Sequence, residues 1–210
     1  MGRLLPVLLG MMLLAACQTD THAVFSPVPT AAPHTAPTAA ILQSNDVPPA
    51  FQACLGSGPI DVYLSVLATT APEVARSDAT YWSNLRSHGA IAGAISVFAA
   101  NPSACTAELG ATTSVKSITS FVAQFADEGE ADRAWQDGIF GFTPPQVGEL
   151  APGVTRGTST GLGASSFVYL RSSVRLASWR RSVFVALVVA SNGDANLFNV
   201  ATAAIDQRLN

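Results

Sequence analysis

The chain has 210 residues, 49% of them hydrophobic and only 12% charged, with a formal net charge of −3. So apolar a sequence has ample surface to bury, which excludes disorder as the general state of the chain. A single lysine, Lys116, among eleven basic residues leaves no basic stripe that would displace counterions from nucleic acid, so no nucleic-acid partner is expected.

The first 16 residues read as an export signal. Arg3 gives a positive start, and Leu4 to Leu14 form an apolar run of about ten residues, well short of the ~20 that span a bilayer. The run ends on Leu14-Ala15-Ala16-Cys17, which resembles the lipobox of bacterial lipoproteins. Small residues before the cysteine let the backbone enter a peptidase groove, and the thiolate is available for alkylation. The resemblance implies that Cys17 carries a diacylglyceryl thioether and becomes the mature N-terminus. It also implies a lipid anchor in the cell membrane or outer membrane, with the rest of the chain outside the cytoplasm. Gln18, rather than an aspartate, follows the cysteine, which favours the outer membrane in a bacterium with two membranes. Each buried CH₂ contributes ~0.8 kcal/mol, so two or more acyl chains hold firmly where one is marginal. The alternatives are an ordinary secretory signal with a chance cysteine, or a cysteine that later pairs with Cys54 or Cys105.

Cleavage before Cys17 removes Arg3 and leaves ten basic residues against fourteen acidic ones, a charge of −4. Residues 17–41 are rich in Pro, Thr and Ala without apolar periodicity and read as a tether. In polyproline II geometry, ~3.1 Å per residue, such a segment reaches up to ~75 Å from the membrane. Residues 42–210 then form one domain, large enough for a sizeable core.

Within the domain, Asn45 to Pro49 suggests a turn, and the apolar run Ile60 to Leu67 alternates enough to predict a first strand. Glu73 to His88 has Val74, Tyr81, Trp82 and Leu85 at helical spacing and Gly89 where a glycine ends a helix. Ile91 to Ala99 predicts a strand, and Thr113 to Ala126 a longer one with Phe121, Ala123 and Phe125 on one face. Asp127 caps a short helix through Gln136, with Glu128 and Glu130 at its positive end. Gly138 to Ser166 holds little regular structure beyond one short strand. Phe167 to Arg171, Val174 to Trp179 and Val183 to Val189 predict a three-stranded meander. The unbroken apolar character of the last predicts a central strand covered on both sides. Asp194 then caps a helix with Leu197, Val200, Ala201, Ala204, Ile205 and Leu209 in its stripe. Together these elements predict an α+β fold: an antiparallel sheet with about three helices packed on one face. At the level of architecture the layout resembles disulfide-bearing extracellular sensor domains and small lipoproteins.

With Cys17 assigned to lipid, Cys54 and Cys105 form the economical disulfide of an oxidising compartment, two buried thiols being the alternative. His22 and His34 fall in the tether, leaving His88 as the domain histidine, so no metal site is expected. His88 itself is explained by its place at a helix end.

Gly157-Thr158-Ser159-Thr160-Gly161 matches a hydrolase nucleophile elbow in letters. It lacks both a following helix and a downstream histidine, so no catalytic residue is assigned. Gly161-Leu162-Gly163 lacks the third glycine and the flanking elements of a dinucleotide site, and no cofactor is expected. Asp127, Glu128, Glu130, Asp132 and Asp137 lack calcium-loop spacing and read as a solvated helix face. Arg171, Arg175, Arg180 and Arg181 read as solvation of a sheet face or edge. Trp82 and Trp179 are core candidates. The candidate binding surface is Trp135, Phe140 and Phe142, where aromatics meet glycines and Pro144-Pro145; the alternative is that they pin the short helix to the sheet. The expected function is a non-enzymatic binding or interaction module of the cell envelope, its partner an envelope protein or small ligand. An envelope assembly factor without a small ligand is the alternative, with a secreted serine hydrolase third.

Overall fold

The computed structural model describes residues 35–148 and 150–210, so Cys17, the export signal and most of the tether lie outside the described residues. Eight strands form one antiparallel sheet: β1 (Gln52–Ala53), β2 (Gly58–Pro59), β3 (Ala90–Ala99), β4 (Ser117–Phe125), β5 (Val154–Arg156), β6 (Ser166–Leu170), β7 (Val174–Arg181) and β8 (Phe184–Ser191). Their order is β1-β3-β4-β8-β7-β6-β5, with β2 also paired to β3. Among the described residues five helices accompany them: α1 (Pro37–Ala40), α2 (Ile60–Thr70), α3 (Pro72–Ser87), α4 (Glu128–Asp137) and α5 (Ala195–Leu209). The α+β class, the single antiparallel sheet and the C-terminal meander agree with the sequence expectation. Among the described residues no helix is long and apolar enough to cross a membrane.

The helices cover both faces of the sheet, which corrects the expectation of one covered face. Phe121, Val185, Leu187 and Val189 pack with α2, α3 and α4, whereas Ile118, Val122, Ala186 and Val188 pack with α1 and α5. Side chains alternate between faces along a strand, so a strand apolar at every position has to be covered twice. All eight residues of β8 are buried, as its unbroken apolar character predicted.

The second correction concerns Ile60 to Leu67, expected as a strand and found as the first part of α2. Ile60, Tyr63 and Leu67 are the buried residues, at spacings of three and four, while Val62 is 50% exposed. An apolar run this short fits either period, and packing decides between them. α2 leads through Ala71 directly into α3, and the pair lies over β3. Trp82 of α3 rests where a Cβ on Gly93 would fall 2.8 Å from its ring, so only glycine at that point of β3 admits the close approach. Its indole nitrogen donates to Asp61 of α2 at 3.2 Å, tying the two helices together.

Helix ends follow local chemistry. Asp127 accepts from the Glu130 amide at 2.8 Å and Asp194 from the Leu197 amide at 2.8 Å, each satisfying a free N–H in the first turn. The stripe on α5 is Leu197, Phe198, Ala201, Ile205 and Leu209; Val200, expected in it, is exposed. Part of the segment assigned to the tether is packed: Pro37 is buried, and Ala40 and Ile41 are buried on the α5 side. The Leu42 amide there donates to the buried Ser120 hydroxyl at 2.9 Å.

Candidate functional site

Cys54 and Cys105 are bonded to each other, with Cα atoms 5.5 Å apart. The bridge joins the segment after β1 to the 3-10 turn Pro102–Thr106, and beside it a groove of about 370 Å³ opens. Ala53, Cys54, Tyr63, Val66, Leu67 and Cys105 are among the residues lining it, an apolar wall with the disulfide built in. Leu55, 82% exposed, stands at the edge.

The least expected chemistry among the described residues lies on α3. Asp78, on the inner face of α3, is 0% exposed, and neither carboxylate oxygen has a hydrogen-bond partner. Burial raises its pKa to about 7, with the negative field of Glu108 acting in the same direction. Tyr63 of α2 is among the residues lining the groove, and its hydroxyl is buried without a partner. Burial, then the charges of Asp78 and Glu108, raise the pKa of that hydroxyl above the ordinary tyrosine range. Glu108 is exposed and accepts from the Ser77 hydroxyl at 3.4 Å.

Sequence reasoning missed Tyr63, Asp78 and Glu108. A signal for Asp78 was present, since it interrupts the stripe Ala75, Asp78, Trp82, Leu85 at spacings of three, four and three. A carboxylate in an apolar helix stripe marks either a paired charge or a functional group. Tyr63 was hidden by the assignment of its segment to a strand.

The expected binding surface divides. Trp135 and Phe140 are 2% and 4% exposed and belong to the core, which removes them as surface residues. Phe140 and Gly141 both have positive φ (49° and 78°) between the mutually hydrogen-bonded Ile139 and Phe142, a turn of type I′ geometry. That turn drives the Phe140 ring inward, 4.8 Å from Phe121 and 5.5 Å from Tyr81 between centroids. Trp135 packs against Phe167 with the Arg156 guanidinium over its ring at 5.7 Å. Phe142 is half-buried and lines a second groove of about 370 Å³ with Pro145, Val154, Phe167, Tyr169 and Leu176. Phe142→Ala should therefore cost no more than about 1–2 kcal/mol in chemical denaturation, well below a full core truncation; a loss above 3 would place its ring in the core.

Ser159 is exposed in the 3-10 turn Gly157–Thr160 and lines a shallow groove against α5. His88 stands at the end of α3, where its ring nitrogens face the Asn84 carbonyl and the Asp137 carboxylate, each at 2.8 Å. Among the described residues no group of three or more His, Cys, Asp or Glu is placed to hold a metal ion. The arginines counted as surface solvation are individually engaged. Arg181 forms a two-point pair with Asp206 (2.7 and 2.8 Å), Arg180 faces Asp132 at 3.2 Å, Arg175 donates to the Gly193 carbonyl, and Arg171 stacks on Tyr169 at 5.3 Å.

Comparison of the chain with protein-family models, with curated proteins and with solved structures returned no match.

Proposed function

We infer that this chain is an extracytoplasmic lipoprotein, tethered through Cys17, whose domain is a non-enzymatic binding module of the cell envelope. The observation that carries the reading is the Cys54–Cys105 bridge lining a mainly apolar groove. The disulfide supports an oxidising compartment, in accord with the lipobox-like Leu14-Ala15-Ala16-Cys17. A recessed apolar groove suits ligand binding. Anchoring is the function of the lipid, recognition that of the groove.

The test has two arms. Cys17→Ser should abolish incorporation of labelled palmitate and move the chain out of the detergent phase on phase partition; unchanged partition overturns the anchor. A set of small apolar probes, followed by ligand-observed NMR, should lose contact with the full chain when Val66→Trp fills the groove. Probe contacts that survive this substitution unaltered overturn the groove as the binding site.

A further inference from the structure

We propose that the trench between α5 and strand β6 is a second site, separate from the disulfide-walled groove, for a single-chain amphiphile with a carboxylate head. The alkyl chain lies along α5 and the carboxylate pairs with Arg175.

The trench follows from how the sheet is covered. Side chains alternate between the faces of a strand, so Val168 and Leu170 of β6 share a face with Ala177 and Arg175, their cross-strand partners in β7. Ala177 is buried in the core on the α5 side. The end of β6 is left open on that face, with Val168 half-buried and Leu170 46% exposed. Two grooves lie there. One, of about 660 Å³, is lined by Pro152, Arg175 and Ala195 among others, and the second, of about 420 Å³, by Leu162, Val168 and Asp206 among others. Leu170 of the sheet and Phe198 and Asn199 of α5 line both, so the grooves meet between the two walls. From Ala195 to Asp206, α5 rises about 17 Å at ~1.5 Å per residue. An extended ten-carbon chain, about 12 Å long at ordinary carbon–carbon bond lengths, lies within that span.

The two ends differ in charge. Arg175 stands at the N-terminal end of α5, where it donates to the Gly193 carbonyl. Among the described residues its side chain has no other hydrogen bond and no ion pair. The remaining guanidinium donors suit the two oxygens of a carboxylate. Asp194 is the acid at this end, and its carboxylate is engaged in capping α5. At the far end Asp206 is already held at two points by Arg181. Arg171 also lines the first groove, but its guanidinium is stacked on Tyr169 and is not assigned to the site. A neutral hydrocarbon would leave Arg175 unanswered, and a compact anion would leave the apolar floor of Leu162, Val168, Leu170 and Phe198 uncovered. A carboxylate on one alkyl chain matches both.

Decanoate and 1-decanol share a chain and differ in the charge of the head. Followed by ligand-observed NMR with the full chain, below the concentration at which micelles form, decanoate should bind about tenfold more tightly than the alcohol. Arg175→Gln should bring that ratio close to one without weakening 1-decanol. Asp194→Asn retains a good helix cap while removing a negative charge, so it should tighten decanoate. Hexanoate should bind at least tenfold more weakly than decanoate, because each methylene removed takes apolar contact with it. Asn199→Trp, at an exposed position where the grooves meet, should abolish binding of both ten-carbon probes, whereas Val66→Trp should leave it unaltered. Equal affinities for the two probes overturn the carboxylate head, and a preference that survives Arg175→Gln overturns the role of that guanidinium. Binding that survives Asn199→Trp and is lost with Val66→Trp puts the chain in the disulfide-walled groove and overturns the trench. If neither probe binds, the trench falls while the disulfide-walled groove still stands or falls by its own probes.

Discussion

Serine at both Cys54 and Cys105 should lower the free energy of unfolding by about 4 kcal/mol, because the bridge closes a loop whose ends are 51 residues apart. Bringing such distant points together removes much of the freedom of the unfolded chain, and that gain is lost with the bond. For a domain of this size the loss corresponds to a drop in Tm of about 10 °C. The double variant is cleaner than either single one, which leaves a free thiol able to pair with another chain. Cys54 is buried beside β3, its amide donating to the Val97 carbonyl at 2.8 Å, so the segment after β1 keeps this backbone bond when the bridge is gone. The groove should then loosen before the sheet does. Equilibrium denaturation of the double variant against the oxidised chain measures the effect, and a difference under 1 kcal/mol would show that the bridge contributes little.

The second large effect lies with Asp78 and its sign depends on pH. Its carboxyl titrates near 3.8 in the unfolded chain and at about 7 in the folded one. Between these values the folded chain retains a proton that the unfolded chain has released. The contribution of this group is therefore most favourable below about pH 4, declines as pH rises towards 7, and is flat above. The full cost of the buried charge is on the order of 4 kcal/mol. Asp78→Asn removes the charge while preserving shape. It should match the unaltered chain near pH 4 and exceed it in stability by up to about 4 kcal/mol at pH 8. Taking the difference between the two proteins cancels the contributions of every group they share. Parallel stability curves from pH 4 to 8 would contradict the assignment.

Asp78 and Phe140 together show why part of the site was illegible in the sequence. Asp78 occupies a stripe position on α3, but its state depends on burial by the packed fold and on the charge of Glu108, thirty residues away in sequence. Phe140 and Phe142 are two residues apart with similar apolar surroundings, yet a type I′ turn sends the first ring into the core and leaves the second half-exposed. Nothing in their composition separates them. The disulfide was more accessible to reasoning, since assigning Cys17 to lipid left two cysteines and one pairing.

What the sequence determined by itself was local in origin: the caps at Asp127 and Asp194, the end of α3 at Gly89, and the strands of the C-terminal meander. These depend on residues within a few positions of one another, where hydrogen-bonding chemistry and the two-residue repeat of a strand act directly. The tertiary structure decided the rest. It selected a helix for Ile60–Thr70 and laid helices on both faces of the sheet. It also enclosed Asp78 without a partner on the buried face of α3. Burial and electrostatic coupling are properties of neighbours brought together from far along the chain, and only the packed fold determines who those neighbours are.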